Sequence, residues 1–309
     1  MSAGAILAAG TVTGLGLSAE AKETFVPSFS FTTPIRMGAV TLVVRDLEKV
    51  SKFYQDVIGL REIRRSGGLA ELGAGENVFL KLKHDAEAKP DTGRSAGLYH
   101  TAFLLPSRSD LAQWLIHVAN NRVPLQGAAD HIVSEAFYLA DPEGNGIEVY
   151  IDRPEAGWVW AGGQVHMASD PIDVDGLVAS VAAPNWQGAP VGTGVGHVHL
   201  RVGDIGPAEA FYKGLLGLDI TASMGSATFY SSGGYHHHIA TNIWQSRGAP
   251  LRAANEAGLA EVEFLVADKG IWDSLSDRLR KSGLAIEEKD GGVLVPDPWQ
   301  TKALIKQIA

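Results

Sequence analysis

The sequence predicts an α+β fold built from four βαβββ modules, each a strand, a helix and about three further strands. The main support is an internal repeat, in which residues 45–60 repeat the pattern of residues 203–218, the second part of the stretch 192–218. Matching residues are all 158 positions apart: Asp46 and Asp204, Phe53 and Phe211, Tyr54 and Tyr212, Gly59 and Gly217. A repeat at a fixed spacing indicates that one supersecondary arrangement occurs at least twice in the chain.

The third module has the clearest element boundaries. Residues 197–202 alternate as a half-buried strand does, and Asp204 lies where a helix N-cap is expected. Residues 208–216 then place apolar side chains at helical spacing, and Gly217 provides a C-terminal stop.

The other three modules follow the same order of elements. They open at Met37, Leu98 and Leu259, and each opening strand leads into a segment with helical spacing. In the second module, Asp141-Pro142 and the following Gly-Asn-Gly predict a tight turn between two strands. Asp297-Pro298 falls at the corresponding place in the fourth module.

The composition divides the chain into four segments: a leader at 1–34, modules one and two at 35–153, a Gly-, Pro- and Trp-rich linker at 154–195, and modules three and four at 196–309. Residues 4–21 are small and apolar and end in Ala-Glu-Ala, as a signal peptide does, but no basic residue precedes Lys22. A cytoplasmic location is therefore our first expectation. Secretion or a periplasmic location follows if residues 1–21 are a signal peptide.

Charge and composition exclude several classes of function. The 309 residues carry a net charge of −9, which argues against nucleic acid or an anionic membrane as a partner. The absence of cysteine excludes disulfides, thiolate metal sites and cysteine nucleophiles. A hydrophobic share of 45% allows a sizeable core, and a homo-oligomer stays open.

Paired βαβββ modules with an Asp, Phe-Tyr and Gly-Leu signature resemble the vicinal oxygen chelate superfamily, which includes glyoxalase I, bleomycin-resistance proteins and extradiol dioxygenases. The resemblance covers nearly all of the chain from Met37 onward. The stretches HTAFLLP, SEAFYLADPEGNGIEVYIDRP and GGYHHHIATNIW resemble, more narrowly, catechol 2,3-dioxygenases with two such domains. The resemblance implies that pairs of modules form half-barrels, one of them around a metal ion.

The resemblance also implies a ligand set. The family's first-strand ligand falls on His100 in the second module and His197 in the third, and its final-strand glutamate falls on Glu148. The corresponding positions in the first and fourth modules hold other residues: Ala39, Glu261 and Leu304. We therefore expect modules two and three to pair around the metal and modules one and four to form a metal-free half-barrel.

The residue types suit iron(II), because two imidazoles and one carboxylate leave positions open for a substrate and O2. Spacing does not exclude Mn(II). Glu148 shares a strand face with Tyr150, and a carboxylate facing a barrel interior is costly unless it is paired or bound. His199 shares a strand face with His197 and stays an alternative ligand, although the spacing to Asp204 favours His197.

Three further residues receive roles from the resemblance. His237, in a His-x-x-Ala pattern, corresponds to a histidine that transfers protons, with His238 as the alternative if the register differs. We expect the three consecutive histidines to alternate along a strand. Tyr138 corresponds to a tyrosine that hydrogen-bonds a substrate oxygen, and His131 to a second histidine beside it.

The sequence thus predicts a non-haem iron(II) extradiol dioxygenase that cleaves a catechol-type aromatic diol with O2. Two alternatives are a glyoxalase-type isomerase or lyase and a non-enzymatic binding protein of the bleomycin-resistance kind. The first normally uses four protein ligands, two of them carboxylates. The second has no need of three metal ligands.

Overall fold

The computed structural model describes residues 27–308, so the signal-like residues 4–21 lie outside the described part of the chain. Within that part the chain forms five α-helices: α1 (Leu47–Phe53), α2 (Arg108–Asn120), α3 (Val174–Ala179), α4 (Ile205–Glu209) and α5 (Lys269–Lys281). None of these helices has the length and apolar composition needed to cross a bilayer.

Eighteen strands lie between and around the helices. They are β1 (Ile35–Val44), β2 (Arg61–Ser66), β3 (Leu69–Ala74), β4 (Asn77–His84), β5 (Gly97–Leu104), β6 (Gly127–Asp130), β7 (Ser134–Ala140), β8 (Gly146–Asp152), β9 (Trp160–Ala161), β10 (Gln164–Val165), β11 (Gly194–Arg201), β12 (Asp219–Ser223), β13 (Ala227–Ser231), β14 (Ile239–Asn242), β15 (Gly258–Val266), β16 (Glu287–Lys289), β17 (Gly292–Pro296) and β18 (Lys302–Gln307).

Sixteen of the strands form two eight-stranded half-barrel sheets, each with strands from both sequence halves, and β9 pairs with β10 in a separate two-stranded sheet. The 1/4 sheet has the order β16-β17-β18-β15-β1-β4-β3-β2, and the 2/3 sheet has the order β12-β13-β14-β11-β5-β8-β7-β6. The two modules of each sheet join through their first strands, β1 with β15 and β5 with β11, both antiparallel. The predicted pairing of modules one with four and two with three is therefore confirmed.

The repeated segments fold alike because the same local groups begin and end their helices. Asp46 accepts a hydrogen bond from the Lys49 amide, and Asp204 accepts one from the Gly206 amide. Each helix continues into a π-helical turn, Tyr54–Ile58 after α1 and Ala210–Leu215 after α4. Gly59 and Gly217 then take the left-handed backbone conformation, with φ of 81° and 83°, that glycine adopts without steric strain.

A tyrosine after each of these helices ties one module to the next. The Tyr54 hydroxyl donates to Oδ2 of Asp141 at 3.4 Å, and the Tyr212 hydroxyl donates to Oδ2 of Asp297 at 3.2 Å. Both aspartates belong to the predicted Asp-Pro turns, and both are buried. The repeat thus extends from helix caps to a contact between modules.

The largest buried apolar cluster takes side chains from both sheets, for example Leu42 of β1 and Val198 of β11. Helix α2 packs against the turn after α1, where the Trp114 indole donates to the Val57 carbonyl at 2.9 Å. The two sheets therefore share one hydrophobic core.

Candidate metal centre

The three predicted metal ligands lie on three adjacent strands of the 2/3 sheet. His100 is on β5, which has β8 with Glu148 on one side and β11 with His197 on the other. Ala102, two residues after His100, is in register with both Glu148 and His197. Since residues i and i+2 of a strand share a face, all three ligands point to one side, above the small side chain of Ala102.

One glycine is needed for this arrangement. A Cβ added at Gly146, the first residue of β8, would lie 1.9 Å from the carbonyl oxygen of Tyr99 on β5. A side chain at this position would therefore push apart the strands that carry His100 and Glu148.

The ligand atoms converge in a buried position. Oε2 of Glu148 lies 3.0 Å from Nε2 of His100 and 3.4 Å from Nε2 of His197. When one ligand atom is taken from each of the three residues, the three atoms all lie within 4.8 Å of one another. Their exposed fractions are 6% for His100, 2% for Glu148 and 1% for His197.

The hydrogen bonding of His100 supports a metal at this point. Among the described residues, Nε2 of His100 has no hydrogen-bond partner with acceptable geometry, although the Glu148 carboxylate is only 3.0 Å away. A buried polar atom without a partner costs roughly 1–3 kcal/mol. Donor atoms aimed at a common point rather than at each other are what a bound divalent cation would require, so the residues fit a metal.

The protonation states also suit metal binding. Burial lowers the pKa of His197 to about 4, although the Glu148 carboxylate acts in the opposite direction. Burial acts to raise the pKa of Glu148, but the imidazoles of His197 and His100 outweigh it and hold that pKa well below its ordinary value. At neutral pH the site therefore offers a neutral His197 and an ionised carboxylate, the forms that bind a metal ion.

Tyr138 and His131 lie together on the β7 side of the site. Tyr138 is directly opposite Glu148 in the pairing of β7 with β8. The Tyr138 oxygen is 2.6 Å from Nε2 of His131, and Nδ1 of His131 is 2.6 Å from the Ala168 carbonyl oxygen. Because a carbonyl only accepts, Nδ1 of His131 carries a proton, and in the neutral imidazole Nε2 then accepts from the Tyr138 hydroxyl. Burial and the nearby Glu148 raise the pKa of Tyr138, which keeps its hydroxyl protonated.

The three consecutive histidines precede a strand rather than lie within it. Strand β14 begins only at Ile239, so the predicted placement of the run within a strand is wrong. His237 lines the same cavity as the ligands, and its ring centroid is 4.1 Å from that of His197. His238 instead contacts Thr33 and Ser231, each at 3.1 Å, and is fully buried there. The structure thus brings His237, and not His238, to the site.

His199 is beside the candidate ligands but has a different partner. Its Nε2 lies 3.0 Å from Nδ2 of Asn242, whose Oδ1 accepts the backbone N–H of Trp244. Burial, together with His100 and His197, lowers the pKa of His199 well below its ordinary value. His199 therefore forms part of the cavity wall as a neutral imidazole.

The cavity above the ligands has a volume of about 600 Å³, within the range of small-molecule sites. One wall is apolar and aromatic, and is formed by Tyr99, Met224, Phe229 and Trp244. Sequence patterns did not single out these residues, because they come from separate elements that meet only in the fold.

The corresponding positions of the 1/4 sheet hold a different set of groups. Glu261 forms an ion pair with Lys289, and Leu304 is fully buried in the core. Ala39 offers no ligand atom. Lys289 provides the positive charge that neutralises the Glu261 carboxylate.

A curled eight-stranded sheet with two histidines and a glutamate converging on one face defines a half-barrel protein with a candidate metal centre. The chain matches the Glyoxalase/Bleomycin resistance protein/Dioxygenase superfamily over residues 36–149 and 194–292, and it belongs to that superfamily.

Among its relatives, it is 39% identical over 267 residues to Catechol-2,3-dioxygenase of Bacillus subtilis (strain 168), covering 85% of this chain and 93% of the relative. It is 26% identical over 125 residues to Biphenyl-2,3-diol 1,2-dioxygenase 3 of Rhodococcus globerulus, covering 40% of this chain and 66% of the relative. The structure of glyoxalase I from Zea mays is similar in fold, with a TM-score of 0.53, 15% identity, and coverage of 90% of this chain and 94% of that one.

Proposed function

We propose that this protein is a non-haem iron(II) extradiol dioxygenase that opens a catechol-type ring beside its two hydroxyls with O2. The observation that carries the proposal is the buried convergence of His100, Glu148 and His197 at the floor of a cavity large enough for an aromatic diol. The 39% identity to a catechol 2,3-dioxygenase over most of both chains supports the same conclusion.

The three ligands would hold the metal on one side and leave its other side to the cavity. When bound, iron(II) supplies open coordination positions and the electron-transfer chemistry that lets an electron-rich diol react with O2. Mn(II) fits the same donor set. The ionised Glu148 offsets part of the metal charge, and the walls of the cavity exclude bulk water from the ligands.

His237 and Tyr138 would handle the protons and orient the diol. Burial and the neighbouring histidines, His197 first among them, lower the pKa of His237 well below its ordinary value, so the imidazole is neutral and can accept a proton from a diol hydroxyl. Tyr138 directs its own proton to His131, so its oxygen can accept a hydrogen bond from the second hydroxyl.

The test is oxygen uptake with catechol by anaerobically iron-loaded protein that is then exposed to air. We expect O2 consumption to match the appearance of a yellow ring-cleavage product. His197→Ala should abolish both, whereas His84→Ala, at an exposed histidine of β4, should leave both unchanged. A glyoxalase-type isomerase or a binding protein would give neither signal, and wild-type protein without O2 uptake would refute the proposal.

A further inference from the structure

Behind the cavity wall, three side chains form a hydrogen-bonded chain that ends at His237. Oδ1 of Asp152, at the end of β8, is 2.9 Å from Nε2 of His236. Nδ1 of His236 is 2.8 Å from Nδ1 of His237. His236 is fully buried, whereas His237 lines the cavity. The chain therefore runs from a carboxylate outside the cavity to a histidine inside it.

The donors and acceptors in this chain can be assigned from the contacts. An ionised carboxylate only accepts, so Nε2 of His236 carries the proton of that contact. A neutral imidazole has a single N–H, which leaves Nδ1 of His236 as an acceptor. The 2.8 Å contact between the two Nδ1 atoms then requires the proton on the His237 side. Nε2 of His237 is left without a proton.

From this geometry we infer that Asp152 and His236 are positioning residues for the reaction, because they hold His237 in the tautomer whose Nε2 lone pair is available to the cavity. The inference rests on the proposed function for its catalytic meaning. It goes beyond that function in assigning the two residues that prepare His237 to accept a proton.

The surroundings of Asp152 support a functional reason for its charge. Its Oδ1 also accepts the Tyr235 hydroxyl at 2.9 Å, and that hydroxyl is 2.8 Å from the hydroxyl of Tyr150. Among the described residues, Oδ2 of Asp152 has no hydrogen-bond partner and no solvent contact. A buried carboxylate oxygen without a partner is unfavourable for folding, so packing alone does not account for the aspartate.

The test compares two variants of His236 that differ in whether they provide a hydrogen-bond acceptor to His237. His236→Asn keeps an acceptor oxygen near the Nδ1 position, whereas His236→Phe fills the space without an acceptor. In metal-free protein labelled with ¹⁵N-histidine, we expect two-bond ¹H–¹⁵N NMR spectra to show His237 as the Nδ1–H tautomer in wild type and H236N. In H236F we expect the Nε2–H tautomer.

Iron-loaded H236F should lose roughly 10²-fold in kcat with its iron content and KM near wild type, and H236N should stay within about 10-fold of wild type. Wild-type kcat in H236F would overturn the inference. If H236F does not fold, the wild-type NMR spectrum is sufficient as the test. An Nε2–H tautomer of His237 in that spectrum would overturn the inference. A protein that cleaves no diol but shows the Nδ1–H tautomer would refute the proposed function and leave the assigned hydrogen bonds intact.

Discussion

Nε2 of His197 lies 3.4 Å from Oε2 of Glu148, although Glu148 belongs to the N-terminal pair of modules and His197 to the C-terminal pair. Their strands, β8 and β11, are both neighbours of β5 and do not pair with each other. A metal bound here would therefore connect the two halves of the chain through side chains as well as through the sheet.

Metal binding should for this reason stabilise the folded chain. An ion that binds only the folded state adds about 2.7 kcal/mol at a free concentration 100 times its Kd. We expect anaerobic Fe(II), or Mn(II) as an air-stable substitute, to raise the Tm of the wild type in calorimetry. His197→Ala should lose the shift and His84→Ala should keep it. An equal shift in H197A would place the metal elsewhere.

Tyr138→Phe should lower kcat by roughly 10–100-fold without loss of bound metal, because it removes the oxygen that we propose orients the diol and leaves Nε2 of His131 without its donor. Steady-state kinetics with metal analysis would measure both effects. Tyr230→Phe is the matched control, since this buried tyrosine bonds to Thr241 outside the cavity. Unchanged kcat in Y138F would remove Tyr138 from the reaction.

The cavity should prefer diols with apolar substituents to those that carry a carboxylate. Among the described residues that line it, Arg201 is the only arginine or lysine, and its guanidinium is held by Asp91 and the Ser95 carbonyl. A carboxylate entering the cavity would find no free lysine or arginine and would lie near Glu148.

We expect kcat/KM for methyl- or phenyl-substituted catechols to exceed that for carboxylated catechols by at least about 10-fold. Trp244→Ala, which shortens the apolar wall, should lower the values for the substituted catechols more than the value for catechol itself. Faster turnover of a carboxylated catechol would contradict this prediction.

Asp297 should make the stability of the chain depend on pH. Burial raises the pKa of this carboxyl from 3.8 to about 6. A raised carboxyl pKa contributes stability that is complete below about pH 3.8 and is lost as the pH rises through about 6. The folded chain then carries an unfavourable buried charge at neutral pH, worth on the order of 3 kcal/mol.

Asp297→Asn should therefore gain stability relative to wild type as the pH rises from 4 to 7, up to about 3 kcal/mol in urea unfolding. Asp204→Asn is the control, because asparagine caps a helix as well as aspartate does and Asp204 is exposed. A constant difference between D297N and wild type across this range would refute the raised pKa.

The starts of the first helices of modules one and three could be predicted from the sequence, because neighbouring residues determine them. Asp46 and Asp204 were recognisable as helix caps because capping depends on a few neighbouring residues. The pairing of modules two and three came instead from the family resemblance, which placed ligands on His100, Glu148 and His197. The sheet order confirms that pairing, while the roles of the individual ligands stay predictions.

The parts that the sequence did not predict depend on distant contacts. Alternation along a strand is the simplest interpretation of three consecutive histidines, but β14 begins only at Ile239, and His236 contacts Asp152, which is far away in the sequence. The aromatic wall was missed for the same reason, since Tyr99 and Trp244 meet only when β5 and β14 join the same sheet. Neither contact leaves a periodic signal in the sequence.

The interlaced sheet order has a consequence for fragments of this chain. A cut in the segment between β8 and β11 would give two pieces, each with half the strands of both sheets and neither with a whole half-barrel. Neither piece would be expected to fold alone. Mixed together, they would have to reassemble as partners, and the convergence of His100, Glu148 and His197 would return only with that reassembly.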